Sequence, residues 1–246
     1  MRQFGLIGYP LSHSFSKKYF TEKFEKEGRS NCSYENYAIS SITALPGLLS
    51  NHPLLEGLNI TIPYKEQVMP YLSELSPVVK ETGACNCIKI KEGRLTGYNT
   101  DVIGFEQSLK TKLEPHHKNA LILGTGGAAK AVEYVLRKLL IQYRYVSRKA
   151  SPVHLLYEDI TPQLLETYTL VINTTPLGMF PHMHELPPLP YHALGNQHYL
   201  YDLVYNPEKT LFLQKGEQQG AVIKNGQDML LIQADESWKI WNDIRS

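Results

Sequence analysis

The sequence has no excess of charge of either sign. Its 25 lysines and arginines are balanced by 24 aspartates and glutamates, which leaves a formal net charge of +1. Proteins that bind nucleic acid or anionic membranes usually present a strong positive field. The near-neutral balance argues against both functions, so we expect neither a nucleic-acid partner nor a membrane partner.

Long apolar runs and paired cysteines are missing as well. No apolar segment approaches the roughly 20 residues that a membrane-spanning helix needs, and residues 1–8 lack the apolar stretch of a signal peptide. Cys32, Cys85 and Cys87 are too few, and odd in number, for a disulfide framework. A chain of this kind is expected in a reducing compartment, so a cytoplasmic location is predicted.

What the sequence does contain is an ordinary globular composition, 42% apolar over 246 residues, and its length suits one large domain or two smaller ones. In the first part of the chain, short apolar runs predict strands at 4–7, 34–39, 57–62, 85–90 and 93–95. Helical spacing of apolar residues predicts helices over about 14–27, 101–113 and 226–241. Near-continuous apolar strands follow at 119–123, 144–147, 170–173, 199–203 and 221–224. Such strands, separated by helical segments, are typical of a parallel sheet covered on both faces.

A glycine-rich segment follows the first of these later strands and opens a predicted helix. Gly124, Gly126 and Ala129 fit the pattern G-x-G-x-x-A, and this context is the one in which the pattern binds a dinucleotide. Gly124 permits a tight turn, and Gly126 lets the backbone approach a pyrophosphate. Gly127 and Ala128 would offer the N–H groups of the helix N-terminus to the phosphates. The alternative is an ordinary glycine turn in an α/β protein.

The next predicted strand ends in Ser147, Arg148 and Lys149. An NAD-selective site usually has an acidic residue at this point, where it accepts from the ribose 2′-hydroxyl. Two cations and a hydroxyl suit a 2′-phosphate instead, because a guanidinium can bind it through two N–H groups. The segment therefore predicts NADP(H) as the cofactor. The alternative is a pair of solvated loop cations.

Four polar segments outside the glycine motif lie beside predicted strands. They are GYPLSHSFS at 8–16, NITIPYK at 59–65, GACN at 83–86 with GYNTD at 97–101, and DLVYNP at 202–207 followed by Gly226 and Gln233. Found in this order around a dinucleotide motif, they resemble the shikimate dehydrogenase family over nearly the whole chain. The resemblance implies an N-terminal α/β substrate domain and a Rossmann-like NADP-binding domain, with the active site in the cleft between them.

The resemblance also implies domain limits and an activity. Residues 1–102 and 225–246 would form the substrate domain, closed by the last helix, and residues 103–224 would form the NADP domain. The implied reaction is the reversible NADPH-dependent reduction of 3-dehydroshikimate to shikimate, in the biosynthesis of chorismate and the aromatic amino acids. The partner would be this small substrate, and the protein would be a monomer or a homodimer.

Lys65 and Asp101 are the catalytic residues that the resemblance implies. Interconversion of an alcohol and a ketone needs a hydride carrier, which the nicotinamide supplies, and a group that gives or takes a proton at the oxygen. Lys65 would move this proton, and Asp101 would orient Lys65 and bind a ring hydroxyl. Taken alone, Lys65 could equally be a surface lysine and Asp101 a helix N-cap.

The resemblance assigns the other polar residues to substrate and cofactor. Ser14 and Ser16 would hold the substrate carboxylate with help from Tyr205, although either serine could cap the first helix. The residues expected to contact the ring hydroxyls are Thr61, Asn86 and Gln233, whereas the role of Asn59 stays open between substrate contact and structure. Leu203 would line the nicotinamide pocket, and Gly226 would admit the nicotinamide.

Two rival functions remain open from the sequence. The first is a quinate/shikimate dehydrogenase of relaxed specificity that also uses NAD, because one extra hydroxyl is discriminated by fine pocket shape. The second is a ligand sensor without activity, against which the presence of both Lys65 and Asp101 argues. No metal site is predicted. Cys85 and Cys87 have no matching second pair, and the spacing of His182, His184, His192 and His198, in a predicted surface loop, fits no zinc motif.

Overall fold

The computed structural model describes residues 1–11 and 15–244. The chain divides into two compact units. Unit 1 consists of Met1–Thr100 and Ala234–Ser246, and unit 2 consists of Asp101–Gln233. The last helix is thus divided between the units after Gln233, whereas the predicted substrate domain contains all of it.

Unit 1 contains a six-stranded sheet with the strand order β2-β1-β3-β5-β6-β4. Its elements, in chain order, are β1 (Arg2–Gly8), α1 (Phe15–Lys26), β2 (Cys32–Ala38), α2 (Leu45–Asn51), β3 (Leu55–Ile60), β4 (Glu74–Leu75), α3 (Pro77–Thr82), β5 (Cys87–Lys91) and β6 (Arg94–Tyr98). Strand β1 is parallel to β2 and β3, whereas β5 is antiparallel to β3 and β6. The carboxyl ends of β1 and β3 therefore meet at one edge of the sheet, which is where the first two polar segments begin.

An aromatic cluster forms the core on one face of this sheet. Phe4 of β1 stacks on Trp241, with ring centroids 4.8 Å apart, and also contacts the edge of Trp238. The Trp241 indole donates to the carbonyl of Ile88 at 3.0 Å. The turns of the last helix that carry Trp238 and Trp241 thus complete this core of the first unit.

Unit 2 is built on a six-stranded sheet with the order β12-β11-β10-β7-β8-β9, and its neighbouring strands are all parallel. The elements from here to the end of the chain are α4 (Thr100–Lys110), β7 (Asn119–Leu123), α5 (Gly127–Lys138), β8 (Gln142–Ser147), β9 (Leu155–Leu156), α6 (Pro162–Thr167), β10 (Leu170–Asn173), β11 (Tyr199–Asp202), α7 (Leu211–Gln218), β12 (Val222–Lys224) and α8 (Gln227–Trp241). Every residue of β10 and β11 is buried, as expected for strands covered on both faces. The predicted α/β class and its parallel sheet are confirmed.

Helix α4 belongs to the second unit because of its packing. Phe105 meets the edge of the Tyr201 ring, with centroids 5.1 Å apart, and the Tyr201 hydroxyl donates to Ser108 at 2.8 Å. These contacts fix the helix that carries Asp101 on the parallel sheet. Among the described helices, none combines the length and apolarity that crossing a lipid bilayer requires.

Candidate functional site

The glycine turn between β7 and α5 has the geometry of a phosphate cradle. Gly124 has a positive φ of 106° and its N–H donates to the Val146 carbonyl at 2.9 Å. A Cβ on Gly124 would lie 2.7 Å from the Thr174 hydroxyl, whereas a Cβ on Gly126 would meet nothing within 4 Å. The turn therefore needs glycine at its first position and leaves open space beside its second.

The N-terminus of α5 faces this space without a competing anion. Gly126 is its N-cap and has no side chain to bind the N–H groups of the first turn, and this turn carries no acidic residue. Such a terminus favours a phosphate through its N–H groups and its dipole. Gly127 and Ala128, the first residues of the helix, are in the place where the pyrophosphate of a dinucleotide is expected, so the cradle fits the cofactor.

The predicted 2′-phosphate site lies at the carboxyl end of β8, next to β7 in the sheet. Arg148 and Lys149 are both exposed there, and the Lys149 N–H donates to the Ser147 hydroxyl at 3.0 Å. Burial raises the pKa of the nearby Tyr157, and the positive charge of Arg148 opposes this shift. The two cations are thus accessible to an anion, while their role toward a phosphate stays a prediction.

Leu203 and Gly226, which are both predicted to lie at the nicotinamide, contact each other. A Cβ on Gly226 would lie 2.1 Å from the Leu203 carbonyl oxygen, and the Gly226 N–H donates to the Val204 carbonyl at 3.2 Å. Only glycine lets the start of α8 come this close to the segment after β11. Tyr205 follows in that segment, and burial raises the pKa of its phenol.

Asp101 and Gln233 lie on two helices that approach each other closely. Asp101 is in the first turn of α4 and is 6% exposed, and Gln233 on α8 is 9% exposed and donates to the Leu230 carbonyl. Between them is Gly104, where a Cβ would lie 2.6 Å from the Met229 carbonyl oxygen and 3.2 Å from Cβ of Gln233. A glycine one helical turn after Asp101 therefore sets the spacing of these two helices.

In unit 1, Thr61 is held at the edge where β1 and β3 end. Its N–H donates to the Ile7 carbonyl at 2.9 Å, and the Tyr9 N–H donates to the Ile62 carbonyl at 3.1 Å. A Cβ on Gly8 would lie 2.4 Å from the Thr61 methyl group, so the first polar segment needs a glycine here. Thr61 and the chain that leads to Ser14 and Ser16 are therefore neighbours.

Lys65 lies in the turn that follows β3. Its neighbour Tyr64 is buried and donates to the Ile39 carbonyl, which anchors the turn in the core. The Lys65 carbonyl accepts from the Cys85 N–H at 2.8 Å. The second and third polar segments are thus joined through their backbones, while the Lys65 side chain is half-buried.

Asn86 caps the start of α4. The Thr100 N–H donates to Asn86 Oδ1 at 2.7 Å, and Asn86 Nδ2 donates to the Thr100 hydroxyl at 3.0 Å. Because Asp101 follows Thr100 directly, Asn86 fixes the start of the helix that presents this carboxylate. The predicted substrate contact of Asn86 stays a prediction beside this structural role.

Asn59 has the structural role that the sequence left open. It accepts from the Tyr34 hydroxyl at 2.8 Å and donates to Ser237 on α8 at 2.9 Å. The Tyr34 hydroxyl is also hydrogen-bonded to Ser16, the second residue of α1. No sequence motif pointed to Tyr34 or Ser237. Tyr34 is hydrogen-bonded to Asn59 and Ser16, and Ser237 is hydrogen-bonded to Asn59. Ser14 lies outside the described residues.

The described residues contain no group of three metal-binding side chains. Cys85 and Cys87 are fully buried thiols. One histidine prediction is wrong. His198 is not in a surface loop, because its ring is buried, with Nδ1 accepting from the Gly195 N–H at 3.0 Å and Nε2 lying 3.1 Å from the Leu165 carbonyl.

Comparison with known proteins gives a consistent result. Residues 6–88 match the family model of the shikimate dehydrogenase substrate binding domain. The shikimate dehydrogenase (NADP(+)) of Carboxydothermus hydrogenoformans is 36% identical, with 98% of this chain and 91% of the relative covered. Shikimate 5-dehydrogenase from Thermus thermophilus, in complex with NADP(H) and shikimate, is similar with a TM-score of 0.87, 30% identity and coverage of 99% and 94%. Quinate dehydrogenase from Corynebacterium glutamicum, in complex with NAD, is similar with a TM-score of 0.87, 26% identity and coverage of 98% and 94%.

Proposed function

Because this chain belongs to the shikimate dehydrogenase family, we propose that it catalyses the reversible NADPH-dependent reduction of 3-dehydroshikimate to shikimate. The enzyme is an oxidoreductase that acts on a CH–OH group and uses NADP(H). The observation that carries the proposal is the glycine cradle at the start of α5, and Lys65 and Asp101 are proposed as the catalytic residues.

The residues of unit 2 would hold the cofactor. The turn of Gly124 and Gly126 and the first turn of α5 would bind the pyrophosphate. Arg148 would bind the 2′-phosphate through its guanidinium, with Lys149 and Ser147 assisting. Leu203 and Gly226 would shape the nicotinamide pocket. When bound, the nicotinamide supplies the hydride that reduces the ketone or accepts it from the alcohol.

Lys65 would transfer the proton that accompanies the hydride. In reduction, its ammonium group gives a proton to the carbonyl oxygen as that oxygen gains electrons, and in oxidation its neutral amine takes the proton back. Asp101 would hold Lys65 in place through its carboxylate and accept a hydrogen bond from a ring hydroxyl. The capping of α4 by Asn86 supports this role, because it fixes the helix on which Asp101 lies.

The substrate carboxylate would be bound by neutral groups. Ser14 and Ser16 would donate to it, Ser16 from the first turn of α1, and Tyr205 would donate from the segment after β11. A helix N-terminus and hydroxyl donors can bind a carboxylate without an arginine. The residues proposed to contact the ring hydroxyls are Thr61, Asn86 and Gln233.

A direct assay tests the proposed reaction. Purified protein mixed with shikimate and NADP should produce the absorbance of NADPH, and 3-dehydroshikimate with NADPH should remove it. Binding of NADP by the same preparation is measured in parallel by calorimetry. A preparation that binds NADP but shows no shikimate-dependent reduction would overturn the proposed reaction while leaving the cofactor assignment standing.

A second candidate function is a quinate/shikimate dehydrogenase that also uses NAD. The similarity to a quinate dehydrogenase in complex with NAD favours it. Values of kcat/KM for shikimate and quinate, each with NADP and NAD, distinguish the two enzymes. A preference of less than about tenfold for shikimate with NADP would favour the relaxed enzyme, since pocket shape alone gives roughly 10- to 200-fold discrimination.

The location and assembly of the enzyme are proposals of the same kind. None of the three cysteines forms a disulfide, which agrees with a reducing compartment, so a cytoplasmic location is proposed. The enzyme is proposed to be a monomer or a homodimer, which light scattering after size-exclusion chromatography distinguishes.

A further inference from the structure

Asp202, at the carboxyl end of β11, is fully buried and has no role in the proposed chemistry. Its Oδ1 accepts from Asn173 Nδ2 at 3.0 Å and from the Val204 N–H at 3.0 Å. Its Oδ2 accepts from the Thr210 hydroxyl at 2.6 Å. The segment that follows β11 is therefore bound to one carboxyl group at two points, at Val204 between Leu203 and Tyr205 and at Thr210.

Asn173 extends this network to the next strand. Its Oδ1 accepts from the Thr175 N–H at 3.1 Å and from the Thr175 hydroxyl at 2.6 Å. The adjacent Thr174 is the residue that a Cβ on Gly124 would meet. Asp202 and Asn173 thus join the segment after β11 to the segment that packs on the glycine turn.

We propose that Asp202 is a positioning residue, whose Oδ1 fixes the Leu203–Tyr205 segment and, through Asn173, aligns it with the glycine turn that holds the cofactor. This inference rests on the proposed function for its catalytic consequence. It assigns Asp202 no contact with substrate or cofactor. The loss of Oδ1 as an acceptor would leave the Val204 N–H unpaired in the interior, and Asn173 Nδ2 would keep only its 3.5 Å hydrogen bond to the Leu177 carbonyl. The segment would move to satisfy these donors.

The positioning does not depend on the charge of Asp202. Burial raises the pKa of this carboxyl to about 7, while its hydrogen bonds to Thr210, Val204 and Asn173 oppose the shift. Oδ1 faces two N–H groups, which can only donate hydrogen bonds, so a protonated Asp202 carries its proton on Oδ2. There the Thr210 hydroxyl can rotate and accept a hydrogen bond from it. The neighbouring titratable groups are the phenols of Tyr191 and Tyr201. Burial raises the pKa of each phenol, the charge of Asp202 adds to the shift, and both stay neutral.

Two substitutions of Asp202 test the proposal, because one keeps an acceptor at the Oδ1 position and the other removes it. In Asp202→Asn, the amide oxygen can take the place of Oδ1 and the amide nitrogen can donate to Thr210. In Asp202→Leu, the shape is kept but no acceptor remains. Glu217→Gln, at an exposed position of α7, removes a charge in the same unit and serves as the control. Three quantities are measured: the Kd for NADP by calorimetry, the KM for shikimate by steady-state kinetics, and the exchange rate of the Val204 amide by NMR.

For Asp202→Leu, we expect the Kd for NADP and the KM for shikimate to rise about tenfold, the scale of a small displacement in a positioned site. The Val204 amide should exchange at least about tenfold faster, because its hydrogen bond is lost. Asp202→Asn and Glu217→Gln should stay within about twofold of the wild type in all three quantities. An Asp202→Leu protein with wild-type Kd and exchange would overturn the proposal.

If Asp202→Leu does not fold, the Asp202→Asn protein tests the proposal instead. A tenfold loss of NADP binding in a folded Asp202→Asn protein would show that an acceptor at Oδ1 is not enough, and would overturn the proposal. Retained binding from pH 6 to 8.5 supports it. The exchange rate of the Val204 amide is measured without a ligand, so it tests the role of Asp202 independently of the reaction. A wild-type protein that fails to reduce NADP with shikimate would refute the proposed function but not this role.

Discussion

The close approach of α4 and α8 at Gly104 leads to a quantitative prediction. A Cβ at this position would lie 2.6 Å from the Met229 carbonyl oxygen, whereas ordinary contact begins at 3.4 Å. Met229 contributes a backbone atom, which cannot swing aside as a side chain can. The substitution Gly104→Ala must therefore move the helices apart by about 0.8 Å at this point, the difference between those two distances.

This displacement separates two residues of the proposed site. Asp101 lies one turn before Gly104 on α4, and Gln233 lies on α8, where its Cβ would be 3.2 Å from the new methyl group. A misplacement of about 1 Å can cost roughly 100-fold in rate. We expect kcat/KM for shikimate to fall about 10- to 100-fold, through both kcat and KM, because Asp101 and Gln233 are proposed to bind the same substrate.

The assay is steady-state kinetics with shikimate as the varied substrate, accompanied by the Kd for NADP. Gly47→Ala is the matched control, because Gly47 is also in a helix, α2, and a Cβ there meets nothing within 4 Å. Alanine itself favours a helix over glycine by about 1 kcal/mol, so any loss specific to Gly104→Ala comes from the contact. A folded Gly104→Ala enzyme with kcat/KM within twofold of wild type would refute the reasoning.

Three further predictions concern single residues. Lys65→Ala should lower kcat by roughly 10²–10⁴, the usual contribution of general acid–base catalysis, with little change in shikimate affinity. Lys80→Ala, an exposed lysine of α3, serves as the control, and near-normal turnover of Lys65→Ala would refute the assigned role. Arg148→Ala should weaken NADP binding much more than NAD binding, whereas Arg144→Ala, exposed on the same strand, should affect neither. Equal losses for both cofactors would contradict a 2′-phosphate site at Arg148. The raised pKa of Asp202, about 7 against an ordinary 3.8, means that the folded state holds this proton more tightly than the unfolded state. Its contribution to stability is therefore full below pH 4 and is lost as the pH rises through about 7, by up to roughly 4 kcal/mol. Denaturant unfolding of wild type and Asp202→Asn from pH 4 to 8 measures this contribution, and parallel pH profiles for the two proteins would count against the raised pKa.

The parallel sheet could be predicted from sequence because its strands are buried on both faces. The predicted strand over residues 170–173 coincides with β10, and 199–203 exceeds β11 by one residue. The sequence did not predict the short helices α2, α3, α6 and α7. Each has fewer than nine residues, and α2, α3 and α6 carry proline in the first turn, so little helical periodicity can develop.

Short sequence motifs identified the candidate site residues, but they did not identify the residues that hydrogen-bond to them or pack against them. Tyr34 and Ser237 act on Asn59 from positions 25 and 178 residues away in the chain. Such pairings leave no local pattern, since a buried tyrosine in a strand looks like any core residue. The same holds for Gly104, whose requirement for glycine comes from a helix more than a hundred residues later in the sequence.

The aromatic cluster of unit 1 has a consequence for how the protein folds during synthesis. Phe4, Phe20 and Phe24 pack against Trp238 and Trp241, which follow unit 2 in the chain and are synthesised after it. Residues 101–233, which form the whole of unit 2, are made in between and take roughly 10 s at typical elongation rates. The Rossmann-like unit can therefore complete its fold while the older N-terminal segment still exposes its aromatic face. Residues 1–100 therefore leave the ribosome before unit 2 does, but they can finish folding only after Trp238 and Trp241 have been made.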